Sequence, residues 1–110
     1  LFTSSATLDA TTTAYSTTNE SSGTGYTAGG ATLANVAVSL SGTTAFVDFD
    51  DVSFTSATIS DAAGALIYNS SASDKAIAVV DFGSTKSVSS GTLTITLPTA
   101  SATTALIRVS

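Results

Sequence analysis

Thr92-Leu93-Thr94-Ile95-Thr96-Leu97 sets aliphatic side chains against threonines in strict alternation. Successive side chains of a strand point to opposite faces, so Leu93, Ile95 and Leu97 share one dry face while the threonines share the other. A helix, with its period of about 3.6 residues, does not sort these residues in that way. Threonine and isoleucine are also stiff at χ1 and fit a pleated, half-buried surface. The partner expected for this strand is Thr104–Val109, joined to it as a hairpin through Pro98–Thr103.

The same period extends outward. Leu33–Leu40 and Thr44–Phe49 flank Ser41-Gly42-Thr43, a short link whose glycine accepts positive φ without a steric cost. Ala65–Asn69 and Ala76–Phe82 flank Ser70–Lys75, which has the composition of a loop. Val52–Ser60, carrying Val52, Phe54 and Ile59, offers another strand. Asp61–Ala65 is too short, and interrupted by Gly64, to nucleate a helix. Thr3–Ala14 is expected as a strand or an extended arm, and the polar, glycine-rich stretch 17–31 as a loop or arm that packs on a neighbouring subunit. The fold class is therefore all-β: an antiparallel β-sandwich of about seven strands with an amino-terminal glycine-rich arm. Residues 1–31 hold that strand and arm, and 32–110 the sandwich core of a single domain.

Composition narrows function. The 110-residue chain has no histidine, cysteine, methionine or tryptophan and only three basic residues, and threonine, serine and alanine make up more than half of it. The groups that usually move protons, bind soft metals or attack carbon near neutral pH are missing, so no enzyme is expected and no cofactor. A net charge of −5, with Lys75, Lys86 and Arg108 far apart, excludes a phosphate track and hence nucleic acid as a partner. With 43% hydrophobic residues and a mean hydropathy of +0.40, the chain is too apolar for disorder. No apolar run approaches the roughly 18 residues of a membrane helix, which predicts no membrane contact. The lack of methionine predicts that residues precede Leu1.

Individual motifs resolve into plain structural roles. Asp48, Asp50 and Asp51 are spaced to offer hard oxygen ligands to calcium, but they lack the glycine and distant glutamate of an EF-hand, so a polar strand face turning into a loop is preferred and no metal site is assigned. Paired carboxylates also suggest glycoside hydrolysis, yet nothing sets an acid apart from a base. A serine nucleophile has only Lys75 or Lys86 as a base, both placed in exposed loops. Gly23-Thr24-Gly25-Tyr26-Thr27-Ala28-Gly29-Gly30 has the glycines of a phosphate loop without the preceding strand, the following helix or the lysine. It is better explained as a series of turns with Tyr26 as its anchor on the sheet or on a partner. Asn19-Glu20-Ser21 and Asn69-Ser70-Ser71 match glycosylation sequons, which arise by chance in a serine-rich chain. Phe46, Phe49, Phe54, Tyr68 and Phe82 are expected in the core. Few charges and many small polar residues make the surface easy to desolvate against a flat partner. The partner-binding residues expected are Tyr15, Gly25, Tyr26, Gly29 and Gly30.

Five blocks occur in order: Ala10-Thr11-Thr12-Thr13-Ala14-Tyr15, the Gly23–Gly30 stretch, Ala45-Phe46-Val47-Asp48-Phe49, Gly64-Ala65-Leu66-Ile67-Tyr68-Asn69 and Ala76-Ile77-Ala78-Val79-Val80-Asp81-Phe82-Gly83. In this order and spacing the chain resembles a family of small virion structural proteins of tailed bacteriophages, over most of its length. Members of that family carry a further amino-terminal segment, and often a basic residue where this chain has Ser60-Asp61-Ala62-Ala63. The resemblance implies a virion component: first a capsid decoration or cement protein on the outer surface of the head, bound to the major capsid protein or other virion proteins, and second a tail or fibre component. It also implies a homo-oligomer such as a trimer. An adhesin-type binding domain is the alternative outside that family.

Overall fold

The computed structural model describes residues 1–109. The described residues are all-β, with six strands: β1 (Gly23–Thr24), β2 (Ala37–Ser41), β3 (Thr44–Asp48), β4 (Val52–Asn69), β5 (Lys75–Ile95) and β6 (Ile107–Val109). A single 3-10 turn, Ser70–Ala72, is the only helical element among the described residues, and no helix there is long and apolar enough to cross a membrane. The strands form two three-stranded antiparallel sheets, β1-β4-β5 and β2-β3-β6. Six strands thus stand where about seven were expected. Two compact units result: residues 1–30 with Phe54–Leu93, and residues 31–53 with the chain from Thr94 onward.

In the second unit, β2 and β3 form the hairpin expected from Leu33–Leu40 and Thr44–Phe49, in the register Ser41↔Thr44 to Ala37↔Asp48. Gly42 turns it with φ of 60° while Thr43 keeps negative φ, the pattern of a type II′ turn, whose twist matches that of the flanking strands. The carboxyl-terminal hairpin does not form. Thr92–Ile95 is the end of the long strand β5, and β6 pairs with β3 instead, Ala45↔Val109 to Val47↔Ile107. The alternation itself holds, since Leu93, Ile95 and Leu97 are half-buried and Thr92, Thr94 and Thr96 exposed. Period two determines which face a residue takes, but not which strand it pairs with.

In the first unit, β4 and β5 are joined across Ser70–Asp74, where Asn69 caps the 3-10 turn by accepting from the Ser71 N–H at 3.0 Å. Five intervening residues allow only an antiparallel neighbour. Val52–Ser60 and Ala65–Asn69, expected as separate strands, are one continuous strand. Its buried residues change parity along the way: Phe54 is even, Ala57 and Ile59 odd, Ala62 and Gly64 even again. At the first change Ser56 has φ of 48°, so one extra residue is absorbed in a bulge and Phe54 stays on the side of Ala57 and Ile59. In β5 the half-buried residues likewise switch from even positions to Gly91, Leu93 and Ile95 across Ser90, whose φ is 49°. Lys75 and Lys86 are exposed β5 residues rather than loop residues.

Most of the core lies in this first unit, with Ala105 buried in the second. Leu1, Phe2, Phe54, Ala57, Ile59 and Ala62 are all buried, and Ile59 is fully so, a burial worth about 1.5–3 kcal/mol. Of the aromatics expected inside, Phe54 is buried, while Phe46, Phe49, Tyr68 and Phe82 are half-buried. The amino-terminal segment supplies the remainder. Phe2 bridges both Glu20 and Gly64, its N–H donating to the Gly64 carbonyl at 2.9 Å, and Ala14 bridges Lys75 at the start of β5. The one buried polar residue among those described, Ser21, donates through Oγ to the Asp61 carbonyl at 2.6 Å.

Candidate functional site

All three tyrosines of the chain meet around its one glutamate, Glu20. Tyr26 arrives from the stretch that follows β1, its ring tilted against Phe54 of β4 with centroids 5.2 Å apart. β1 holds that stretch in place by pairing Gly23 with Ile59 and Thr24 with Thr58. Tyr15 is set by its N–H, which donates to the Asp74 carbonyl at 2.9 Å beside the Ala14–Lys75 bridge. Its ring stacks on Tyr68 of β4 at 4.7 Å and 11°, and meets Phe2 edge-on at 6.4 Å.

Glu20 binds these pieces together. Its Oε1 accepts from the Tyr26 hydroxyl and from the Gly29 N–H, each at 2.7 Å, and its Oε2 accepts from the Tyr15 hydroxyl at 2.8 Å. The Leu1 nitrogen donates to the Tyr26 oxygen at 2.8 Å, and the Tyr68 hydroxyl donates to the Gly29 carbonyl at 2.8 Å. Gly29 is therefore held through both its N–H and its C=O.

The electrostatics follow from this geometry. Burial pushes the Glu20 carboxyl up, but the hydrogen bonds from Tyr26, Gly29 and Tyr15 outweigh it and hold the group below the usual carboxylate value. Burial, then the bond to Glu20 and its negative charge, push the Tyr15 phenol up to about 12. The same causes push Tyr26 up further, and burial with the nearby Asp74 and Glu20 charges raises Tyr68. At neutral pH the cluster is one carboxylate among three neutral phenols.

Of the residues expected to bind a partner, Tyr15, Tyr26 and Gly29 are brought together here, each half-buried, and Gly30 follows directly. Gly25 is separate, lying over Ser56 and Ala57 of β4. The turn series is thus anchored on the chain's own sheet by Tyr26. Glu20 and the part played by Tyr68 were not expected. A signal was present: Glu20 is the lone glutamate beside seven aspartates, with Tyr15 and Tyr26 five and six residues away.

The aspartates do not converge. Asp50 accepts from Asn35 Nδ2 at 2.6 Å, Asp51 accepts from the Leu97 N–H at 2.7 Å, and Asp48 is exposed at the end of β3. Among the described residues, no three acids, histidines or cysteines are gathered in a way that would hold a metal ion. Two open depressions of about 300 and 380 Å³ lie on the first unit, both lined in part by Leu8. The first has Phe2, Leu66 and threonine hydroxyls in its wall, and the second Gly64, Val80 and Asp81. Such walls can hold an apolar group but present no acid–base pair.

Fold and site together define an all-β chain whose one elaborate polar cluster binds its own amino-terminal segment to its own sheet. Compared with protein-family models, curated proteins and solved structures, the chain matches none of them.

Proposed function

We propose that this chain is a non-catalytic structural protein of a tailed-phage virion: a capsid decoration protein that binds the assembled head lattice through the major capsid protein. The observation behind the non-catalytic half is the engagement of Glu20. Both oxygens of the most elaborately bonded carboxylate are engaged by donors of the same chain, three in all, which commits the group to holding its own fold. The virion half is supported by the five ordered sequence blocks and by a surface low in charge. The mechanism is mass action: a protein that binds the assembled shell and not its open form stabilises the shell by the difference in affinity.

Cryo-electron microscopy of the particle that carries the chain, with copy number from the same sample, tests this. Regular density over the head lattice is the expected result. Density confined to the tail, at few copies, replaces decoration with a tail or fibre role, and absence from any particle overturns the virion reading altogether.

A further inference from the structure

The register of the β2-β3-β6 sheet sorts its residues into two rungs of one kind. Val38 stands opposite Val47, which stands opposite Ile107, and Leu40 stands opposite Ala45, which stands opposite Val109. Directly opposed residues point to the same face, so these six side chains make one wholly apolar surface. The rung between them, Ser39, Phe46 and Arg108, points the other way. Val38, Leu40 and Val109 are 74%, 72% and 70% exposed. Scattered exposed aliphatics are ordinary on a protein, but a contiguous sheet face without one polar residue is half of a core.

Charge narrows the choice of occupant. Residues 31–47 contain no ionisable side chain, although the chain as a whole carries −5. The nearest charges on the sheet, Asp48 and Arg108, belong to the opposite face by register. Copies of an acidic chain repel one another at most orientations, and this face lets them meet without bringing like charges together. The other exposed aliphatics behave differently: Ile77 and Val79 on β5 share their side of the strand with Lys75 and Asp81. That patch is interrupted by charge, as guarded sheet surfaces are.

We propose that the occupant is a second copy of this chain, with the two β2-β3-β6 faces packed on each other about a two-fold axis. A twisted apolar sheet packs on its own image at a separation of about 10 Å, with strands within about 30°. The contact is isologous and closes on itself. At about 100 Å² for a fully exposed aliphatic side chain, the face offers about 300 Å² per copy. The pair then buries about 600 Å², below the roughly 1,200 Å² of tight complexes. The dimer is accordingly reversible and concentration-dependent. The inference rests on the sheet alone and does not depend on the virion reading.

Sedimentation equilibrium of the full chain is expected to show monomer and dimer exchanging. Leu40→Lys and Val109→Lys, each placing a charge in the dry layer, are expected to weaken the dimer at least about 100-fold, while Ile77→Lys leaves it within about twofold. A wild-type chain that stays monomeric to millimolar concentration overturns the proposal, as does a trimer, or a dimer indifferent to Leu40→Lys. A second arm does not depend on the lysine variants folding. The chain has no cysteine, so Val38→Cys provides a sole thiol on the proposed interface and Ser39→Cys one on the opposite face. Labelling of the first is expected to slow as protein concentration rises and labelling of the second to stay constant. The reverse pattern puts the contact elsewhere and overturns the proposal.

Discussion

The Tyr26 hydroxyl donates to Oε1 of Glu20 across 2.7 Å, and this bond is the middle link of a line running from the Leu1 nitrogen to a carboxylate that also holds Gly29 and Tyr15. Every group facing Glu20 is a donor, so the site requires an acceptor at both oxygens. Glu20→Gln keeps the shape but turns an amide N–H₂ toward one of those donors. The expected cost is about 2–3 kcal/mol in denaturant unfolding, the range for hydrogen bonds to a charged group. Tyr26→Phe removes two bonds, the one donated to Glu20 and the one accepted from the Leu1 nitrogen, and is expected to cost about 2 kcal/mol. Because the two changes share a network, the double variant should lose less than their sum. A Glu20→Gln loss under about 0.5 kcal/mol would remove the cluster from the account of stability.

The same contacts determine how stability responds to pH, with opposite signs at the two ends. The folded Glu20 carboxyl lies below its ordinary value, so its contribution is present above the unfolded carboxylate pKa and is lost as pH falls through the folded one. Tyr15 and Tyr26 lie above theirs, so their contribution is complete below the unfolded phenol pKa of about 10 and is lost as pH rises toward the folded value, about 12 for Tyr15. Chemical unfolding across pH, followed by tyrosinate absorbance, should show stability beginning to fall near pH 10. In Glu20→Gln the alkaline decline should be smaller, because the negative neighbour that raises both phenols is gone. An unchanged alkaline limb would mean that burial alone holds the phenols up.

Gly23 is where β1 touches β4, and a Cβ built there would run into the Thr58 carbonyl oxygen. Its φ of 152° is also one that side chains rarely adopt. Gly23→Ala is expected to separate β1 from β4 and to cost at least about 2 kcal/mol. Hydrogen exchange should localise the effect, with faster exchange at Thr58 and Ile59 than in β2 and β3. Uniform exchange, with stability within about 0.5 kcal/mol of wild type, would contradict this account of the contact.

What was legible in the sequence was local. The β2–β3 hairpin, with Gly42 in its turn, and the alternation of Leu93, Ile95 and Leu97 depend on neighbours a few residues apart, and both are in the structure. The partner of β6 was not legible, because the alternation of Thr104–Val109 fits any antiparallel edge and the pairing with β3 spans the whole second half of the chain. The strand break expected after Ser60 fell on Asp61–Ala65, a short stretch interrupted by Gly64, yet β4 runs straight through it, and the bulge at Ser56 within that strand was not legible. A serine at positive φ leaves no trace in composition, whereas a glycine would have. Three of the expected contact residues, Tyr15, Tyr26 and Gly29, do converge, but on Glu20 of the same chain, and only tertiary structure shows the acceptor that gathers them.

That bulge yields the most demanding prediction. Ser56 has φ of 48° and stands between buried Phe54 and buried Ala57, and without this extra residue Phe54, Ala57 and Ile59 fall on one face by plain alternation. Deleting Ser56 therefore removes the bulge along with one exposed hydroxyl, and it keeps the fully buried Ile59 facing inward. The expected result is a cooperative fold kept in the first unit, read as retention of the near-ultraviolet tyrosine signal of the Tyr15–Tyr26–Tyr68 cluster, whereas inserting a second residue after Ser56 turns Ile59 outward and abolishes that signal. Ser56→Val keeps the residue count but places a β-branched side chain at positive φ, and should cost only about 1–3 kcal/mol with the signal retained. A deletion variant that lost the tyrosine signal would show that Ser56 is not the surplus residue of β4 and that the change of parity between Phe54 and Ala57 has another cause.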